Sequence, residues 1–313
     1  MLFHEDAKEL VKLYNSMGVD EYLKKQDIDI FHYTSPSVLN SILSKNRFWF
    51  TDRQYLNDKT EGLYVLDNCI NLIDENSFKD EFYRYLREEC KNRKKMPSRG
   101  RGFYVYQISF SYDEDNLGLW NYYTRGEGIK GYNLKFKSND LLSKLNIKPK
   151  LPSGNRPKPY GGKVIYNKEE QDKIVYEIID KFRTHYDKYG NTDNLLFEWL
   201  VDKLLMIGTF FKPECFSIEK EYRIIIDLYI NKEGEYDTIA NESGIFERNG
   251  YLIPYIEVEF NKSCLQGITV SPTMEYEDIR TNILNVTIGK FENINQETIR
   301  KSKIPLRYFV IRQ

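Results

Sequence analysis

The chain has 313 residues, and 46 Lys and Arg residues against 47 Asp and Glu residues leave a formal net charge of -1. This balance excludes a globally basic nucleic-acid coat and an acidic disordered tail. The sequence has only three histidines and four widely spaced cysteines, so a multi-histidine metal centre and a zinc ribbon are excluded and we expect no metal.

No segment has the pattern of a membrane span or a signal peptide. The longest nearly apolar stretch, 204–211, is too short to cross a bilayer. Residues 1–10 contain acidic residues and lack a basic segment followed by an apolar one. Hydrophobic residues make up 41% of the chain, so we expect a cytoplasmic, globular protein with a sizeable core and no contact with the membrane.

Helices and strands alternate in the first third of the chain. Apolar residues at helical spacing predict an amphipathic helix over 6–25. Residues 31–35 predict a strand, and Ser35-Pro36 then begins a helix. A second strand is predicted over 47–52, followed by helices over 60–70 and 76–92.

The middle and the end of the chain predict further strands around two helices. Strands are expected at 104–111 and 130–137, on either side of a polar stretch at 119–128, and helices at 167–189 and 192–207. The remainder predicts strands at 221–230, 245–260 (a hairpin turning at Asn249-Gly250), 267–272 and 306–311, with a short helix at 273–284. We therefore predict one α+β domain over 1–313, with its core from about residue 30 onward and a helical insertion at about 165–210.

Two basic stretches, 91–102 and 148–163, contain Pro and Gly and no acidic residue. This composition predicts exposed loops. They are either ordinary solvated turns or an electrostatic track for the phosphates of a nucleic acid. The candidate nucleic-acid contacts are Arg93, Lys94, Lys95, Arg99, Arg101, Arg156 and Lys158.

Two polar segments near the N-terminus contain candidate site residues. His32 lies in the first predicted strand, where a lone histidine is either structural or functional. The run 51–61 follows an aromatic strand, and its Asn57-Asp58 pair either caps the next helix or contacts a substrate. Asp52, Asp58 and Glu61 are also the ligands that a metal-dependent nuclease would use.

Glu219, Glu221 and Arg223 alternate in the predicted strand near 216–226. Side chains two residues apart project from the same face of a strand, and Tyr222, Ile224 and Ile226 project from the other face. The three charges therefore either form a solvated surface or line a cleft. In a cleft, one carboxylate stabilises developing positive charge while the arginine holds the other.

The segment FHYTSPSVLNSILSKNRFWFTDRQYLNDKTEG resembles the opening of a bacterial family catalogued as domain of unknown function 2971. Further matches are ISFSYDEDNLGLWNYYTRGEGIKGYNLKF (108–136), FSIEKEYRIII (216–226), GITVSPTM, and KIPLR (303–307). The order and spacing of these motifs extend the resemblance from about residue 30 to the end.

FHYTSPSVLNSIL is also similar to the first strand and helix of ADP-ribosyltransferases, including the DNA-modifying toxins, in which His-x-Thr precedes a helix ending in Ile-Leu. This resemblance implies split antiparallel sheets with flanking and inserted helices, and NAD as a substrate. It implies that His32 binds a ribose hydroxyl and that Glu221, with Glu219 before it, drives transfer. The other cofactor-binding candidates are Tyr33, Thr34, Arg53, Asn57, Trp120 and Tyr123, with Tyr123 stacking on nicotinamide.

The resemblance further implies an ADP-ribosyltransferase or NAD glycohydrolase that acts as a toxin-like or phage-defence effector on a nucleic acid or a protein. The expected partners are NAD, a DNA or RNA acceptor, and a second copy of the chain or a defence-system protein. Two alternatives remain open. One is a non-catalytic nucleotide- or nucleic-acid-binding module of the same fold, and the lower-ranked one is the metal-dependent nuclease.

Overall fold

The computed structural model describes residues 5–24, 26–55, 63–73, 79–95, 103–124, 129–149, 157–191, 195–229, 239–248 and 250–306. The helices in these ranges are α1 Glu5–Ser16, α2 Val19–Tyr22, α3 Pro36–Lys45, α4 Tyr64–Leu72, α5 Glu81–Lys95, α6 Leu117–Tyr123, α7 Ser138–Ser143, α8 Lys168–Tyr189, α9 Leu196–Gly208 and α10 Tyr276–Thr287. The strands are β1 Asp29–Thr34, β2 Arg47–Asp52, β3 Phe103–Ser111, β4 Tyr132–Lys137, β5 Leu145–Asn146, β6 Tyr160–Lys163, β7 Glu221–Tyr229, β8 Ser243–Arg248, β9 Tyr251–Phe260, β10 Gly267–Val270 and β11 Ile299–Lys301.

Pairing connects these strands into one eleven-stranded sheet. The main path runs β11-β10-β4-β1-β3-β2-β9-β5, while β7 joins β3 to β6 and β8 pairs with β9. The β10–β11 pair is parallel and the other pairs are antiparallel. The α+β prediction is therefore confirmed, whereas the ADP-ribosyltransferase-like arrangement of the sheets stays a prediction.

Strand β3 has very different partners on its two edges. It pairs with β7 along its whole length, from Phe103 with Tyr229 to Ser111 with Glu221. With β1 it shares a single position, Phe31 with Ser111. Because β1 and β3 diverge from this position, side chains of both strands can line an opening between them.

The two faces of the sheet pack into two apolar clusters. Helices α1, α4, α5, α8 and α9 form a layer that contacts β3 and β7 through Val105 and Ile225. Residues on the other face, among them Tyr106 and Ile224, pack with β1, β2, β4, β9 and α3. Alternation along β7 therefore directs residues 221, 223 and 225 toward the helical layer, and 222, 224 and 226 toward the other cluster.

Several sequence-based predictions need correction. The predicted helix 6–25 is divided, because α1 ends at Ser16 and α2 begins at Val19. No helix is predicted in the polar stretch at 119–128, yet this stretch contains most of α6. Residues 91–95 form the last turn of α5 and residues 160–163 form β6, so neither basic stretch is a loop throughout. The predicted terminal strand lies almost entirely outside the described residues.

The other main elements agree with prediction. Ser35 caps α3 by accepting the backbone N–H of Val38, with Pro36 in the first turn. Helices α8 and α9 fill the expected insertion, and the β8–β9 hairpin turns at Gly250, whose φ is 80°. A φ in this region favours glycine. In the described part of the chain, no helix has both the length and the apolar character needed to cross a membrane.

Candidate functional site

A small cavity that is open to solvent lies at the divergence of β1 and β3. Strand β1 and strand β3 form two of its walls, α6 forms a third, and the residues at the start of β7 complete it. It is lined by Phe31, His32, Tyr33, Ser109, Phe110, Ser111, Leu119, Tyr123, Glu219 and Glu221. The fold thus brings together residues from three segments that the sequence analysis selected separately.

His32 contributes an imidazole ring to this cavity. Its Nδ1 lies 3.1 Å from the carbonyl oxygen of Ser109, and the ring packs against Phe48 and Phe110. Because a carbonyl oxygen can only accept, we infer that Nδ1 carries the proton and that Nε2 is an acceptor in the neutral ring. Burial lowers the pKa of His32 below its usual value, which favours the neutral form near pH 7.

Glu221 is the most strongly held carboxylate of the cavity. One oxygen, Oε1, accepts hydrogen bonds from Ser109 Oγ at 2.6 Å and from Arg223 Nε at 2.7 Å. The other, Oε2, accepts from Arg223 Nη2 at 2.8 Å and from Lys212 Nζ at 3.3 Å. Burial alone raises the pKa of Glu221, but the charges of Arg223 and Lys212 outweigh it and lower the pKa to about 2.

Arg223 is completely buried, so the solvated-surface interpretation of these charges is wrong. Its guanidinium forms two hydrogen bonds to Glu221, and its Nη1 donates to the carbonyl oxygen of Thr209, which follows α9. A buried arginine without these acceptors would be costly. The end of α9 therefore positions Arg223, and Arg223 positions Glu221.

Glu219 differs from the prediction because it does not lie in the strand. It ends the 3-10 turn Glu214–Glu219, and Lys220 follows in the left-handed region with φ 44°. Its Oε2 lies 2.6 Å from Lys212 Nζ, and its side chain is 20% exposed. Lys212 thus contacts both carboxylates. Lys212 could not be selected from the sequence, because it lies outside every motif and only the fold places it beside Glu219 and Glu221.

Four of the predicted cofactor-binding residues, Tyr33, Thr34, Trp120 and Tyr123, have different environments. Tyr123 lines the cavity and is 40% exposed. Tyr33 also lines it, but its hydroxyl is occupied, donating to the Asp113 carbonyl and accepting from the Asn116 N–H. Trp120 is completely buried against Tyr33, so a cofactor cannot stack on it. Thr34 is buried in β1 and is not among the lining residues.

Arg53 is also directed away from the cavity. It is buried and donates to the Leu205 carbonyl at 3.1 Å and to Thr209 Oγ1 at 3.3 Å. Asp52 is 1% exposed and accepts from the Gln54 N–H. Both side chains support the local structure. The other predicted residues of this run, Asn57, Asp58 and Glu61, lie outside the described residues.

The predicted nucleic-acid contacts that lie in the described ranges have different environments. Arg93 is buried in α5 and pairs with Asp202 at 2.6 Å, so it is not available to a phosphate. Lys94 pairs with Asp67 across α4 and α5. Lys95 and Lys158 are exposed. The remaining candidates, Arg99, Arg101 and Arg156, lie outside the described residues.

The described ranges contain no group of three or more His, Cys, Asp or Glu side chains arranged to hold a metal ion.

Residues 119–224 match a family described as "Protein of unknown function (DUF2971)". The matched segment includes most of α6, Lys212, Glu219 and Glu221, so over this part of the chain it supports the family resemblance seen in the sequence. No curated protein and no solved structure matches the chain.

Proposed function

We propose that the protein is an ADP-ribosyltransferase that transfers ADP-ribose from NAD to a nucleic acid or a protein. The observation that carries this proposal is the meeting of His32, Tyr123, Glu219 and Glu221 in one cavity. These residues come from β1, α6, the 3-10 turn Glu214–Glu219 and the start of β7. Each was a candidate on sequence grounds. A cavity that gathers an acceptor nitrogen, an aromatic ring and two carboxylates suits a substrate with a ribose and an aromatic cation.

The chemistry requires little from the protein beyond electrostatics and orientation. When the bond between the ribose C1′ and the nicotinamide nitrogen breaks, the sugar develops the positive charge of an oxocarbenium ion, as in glycoside hydrolysis. Carboxylates near the ribose stabilise this charge. Nicotinamide is cationic before cleavage and leaves as a neutral molecule, so it needs no strong general acid. In this assignment, His32 Nε2 accepts a hydrogen bond from a ribose hydroxyl, and the ring of Tyr123 stacks on nicotinamide.

Nicotinamide release from NAD tests the activity directly. The purified protein is incubated with NAD alone, and with DNA, RNA or cell lysate as the acceptor. We expect release in at least one mixture and its loss in both His32→Ala and Glu221→Gln, each verified as folded by circular dichroism. Absence of release in every mixture would contradict the proposal.

The second candidate is a non-catalytic nucleotide-binding module with the same cavity. The contacts of Glu221 favour it, because four hydrogen bonds already occupy this carboxylate. Such a module would gain thermal stability from NAD or ADP-ribose and leave the NAD intact. Measurement of melting temperature and NAD integrity in the same sample therefore distinguishes the two functions.

A further inference from the structure

The two carboxylates of the cavity have unequal surroundings. Glu221 is 5% exposed and accepts four hydrogen bonds from Ser109, Arg223 and Lys212. Glu219 has a single cation partner among the described residues, Lys212, and 20% of its side chain is exposed. A carboxylate has about four lone-pair sites. Glu221 has therefore filled its sites, whereas Glu219 has acceptor sites left for a ligand.

Lys212 connects the two carboxylates and is itself firmly held. It is buried, and its Nζ lies 2.6 Å from Glu219, 3.3 Å from Glu221 and 4.7 Å from the ring centroid of Phe216. Its backbone carbonyl accepts from Gln171 Nε2 of α8. Gln171 anchors the backbone of Lys212 and Glu221 anchors its ammonium group, so Lys212 fixes the direction of Glu219.

The charges explain why the two groups take different roles. Lys212 and Arg223 together balance Glu219 and Glu221, so the cluster as a whole is neutral. Arg223 neutralises Glu221 through two hydrogen bonds, and Lys212 is shared between both carboxylates. The less neutralised carboxylate is Glu219, which also lines the cavity. Developing positive charge in the cavity is therefore stabilised most by Glu219.

We propose that Glu219 is the catalytic carboxylate that contacts the ribose, and that Lys212 is the residue that positions Glu219. Glu221 and Arg223 support Lys212 in this role. This inference rests on the proposed function. As the C1′–N bond breaks, its electron pair goes to the nicotinamide ring, and Glu219 stabilises the oxocarbenium ion. The acceptor oxygen or nitrogen then bonds to C1′ and gives its proton to Glu219, which passes it to water.

Steady-state kinetics of nicotinamide release tests these roles. We expect Glu219→Gln to lower kcat about 100-fold with little change in KM. Glu214→Gln is the matched control, because Glu214 is an exposed carboxylate in the same 3-10 turn. Lys212→Met should also lower kcat, and Lys212→Arg should recover most of it. A folded Glu219→Gln variant with unchanged kcat would overturn the inference and leave the proposed function standing.

A binding measurement separates this inference from the proposed function. The protein is prepared with glutamate that carries ¹³C at the side-chain carboxyl carbon, and NMR spectra are recorded. The Glu219 and Glu221 signals are assigned from their loss in Glu219→Gln and Glu221→Gln. On addition of 1-methylnicotinamide or ADP-ribose, we expect the Glu219 signal to move more than the Glu221 signal. This result supports ligand contact by Glu219 even if NAD is not turned over. A movement confined to Glu221, or no movement of Glu219, would overturn it.

Discussion

The side chains of the cavity show how neighbours decide what one residue can do. Glu221 and Glu219 are separated by one residue, yet Glu221 faces Arg223 inside the protein while Glu219 remains 20% exposed. The left-handed conformation of Lys220 separates the turn from the strand and gives the two carboxylates different environments. Identical functional groups therefore acquire a structural role and a ligand-facing role.

The pKa of Glu221 makes a prediction about stability against pH. Because the pKa is lowered from its ordinary value to about 2 in the folded protein, the ion pair stabilises the fold above the ordinary glutamate pKa. As pH falls from about 5 to 2, we expect the free energy of unfolding to decrease by roughly 3 kcal/mol from this group. Urea denaturation at several pH values measures this decrease in the free energy of unfolding.

Two variants make this measurement specific. In Glu221→Gln, this pH-dependent contribution to the free energy of unfolding should be absent. At pH 7, removal of the charge partner of Arg223 should lower the free energy of unfolding by about 3–5 kcal/mol. Glu214→Gln should keep the wild-type dependence on pH, because Glu214 is exposed. If Glu221→Gln and the wild type lose stability equally between pH 5 and 2, the ion pair does not control it.

At the scale of elements, the end of α9 supports the candidate site. Its C-terminal residues hold two buried guanidinium groups, Arg53 through Leu205 and Thr209, and Arg223 through Thr209. The carbonyl end of a helix is negative and favours such cations. Movement of α9 would therefore be transmitted through Arg223 to Glu221.

Gly208 allows α9 to approach α4 closely. A Cβ atom at this position would lie 2.3 Å from Cγ1 of Val65, which is completely buried. We expect Gly208→Ala to lower the free energy of unfolding by about 1–3 kcal/mol through overpacking. Chemical denaturation measures the change, and Gly18→Ala, where a Cβ meets no atom within 4 Å, should cost less. Equal losses in both variants would exclude close packing as the cause.

At the scale of the whole molecule, a net charge of -1 does not exclude local contacts with phosphate by exposed lysines. Among the described basic candidates, Arg93 and Lys94 pair with acidic groups while Lys95 and Lys158 are exposed. If the acceptor is a nucleic acid, its affinity should fall as salt concentration rises. We expect Lys158→Ala to reduce the slope of log K against log salt by about 1. Fluorescence anisotropy with labelled DNA or RNA checks this, and a flat salt dependence would contradict a phosphate contact.

The proposed role as a toxin-like or phage-defence effector is also a property of the whole protein. We expect expression in bacteria to slow growth and Glu221→Gln to relieve it. Growth curves at matched protein levels measure the effect. Equal toxicity of the wild type and the variant would show that the effect does not depend on the cavity.

Much of the secondary structure could be predicted because it depends on local patterns. Strand β2 matches its predicted range, and α8 and α9 follow from apolar periodicity. The break between α1 and α2 could not be predicted in this way, because the apolar stripe continues through it. There the buried Lys203 of α9 donates to the Met17 carbonyl at 2.8 Å, a contact between residues far apart in sequence.

The sequence by itself determined the α+β class, the scarcity of metal-ligating histidine, and the short motifs around His32 and Glu221. It did so because hydrophobic periodicity and local motifs are readable within a few residues. Only the tertiary structure decided that Lys212 joins the two carboxylates, that Trp120 and Arg53 turn away from the cavity, and that Arg93 is paired. Those outcomes depend on burial and on contacts between distant segments, which determine whether a charged or aromatic side chain is available to a ligand.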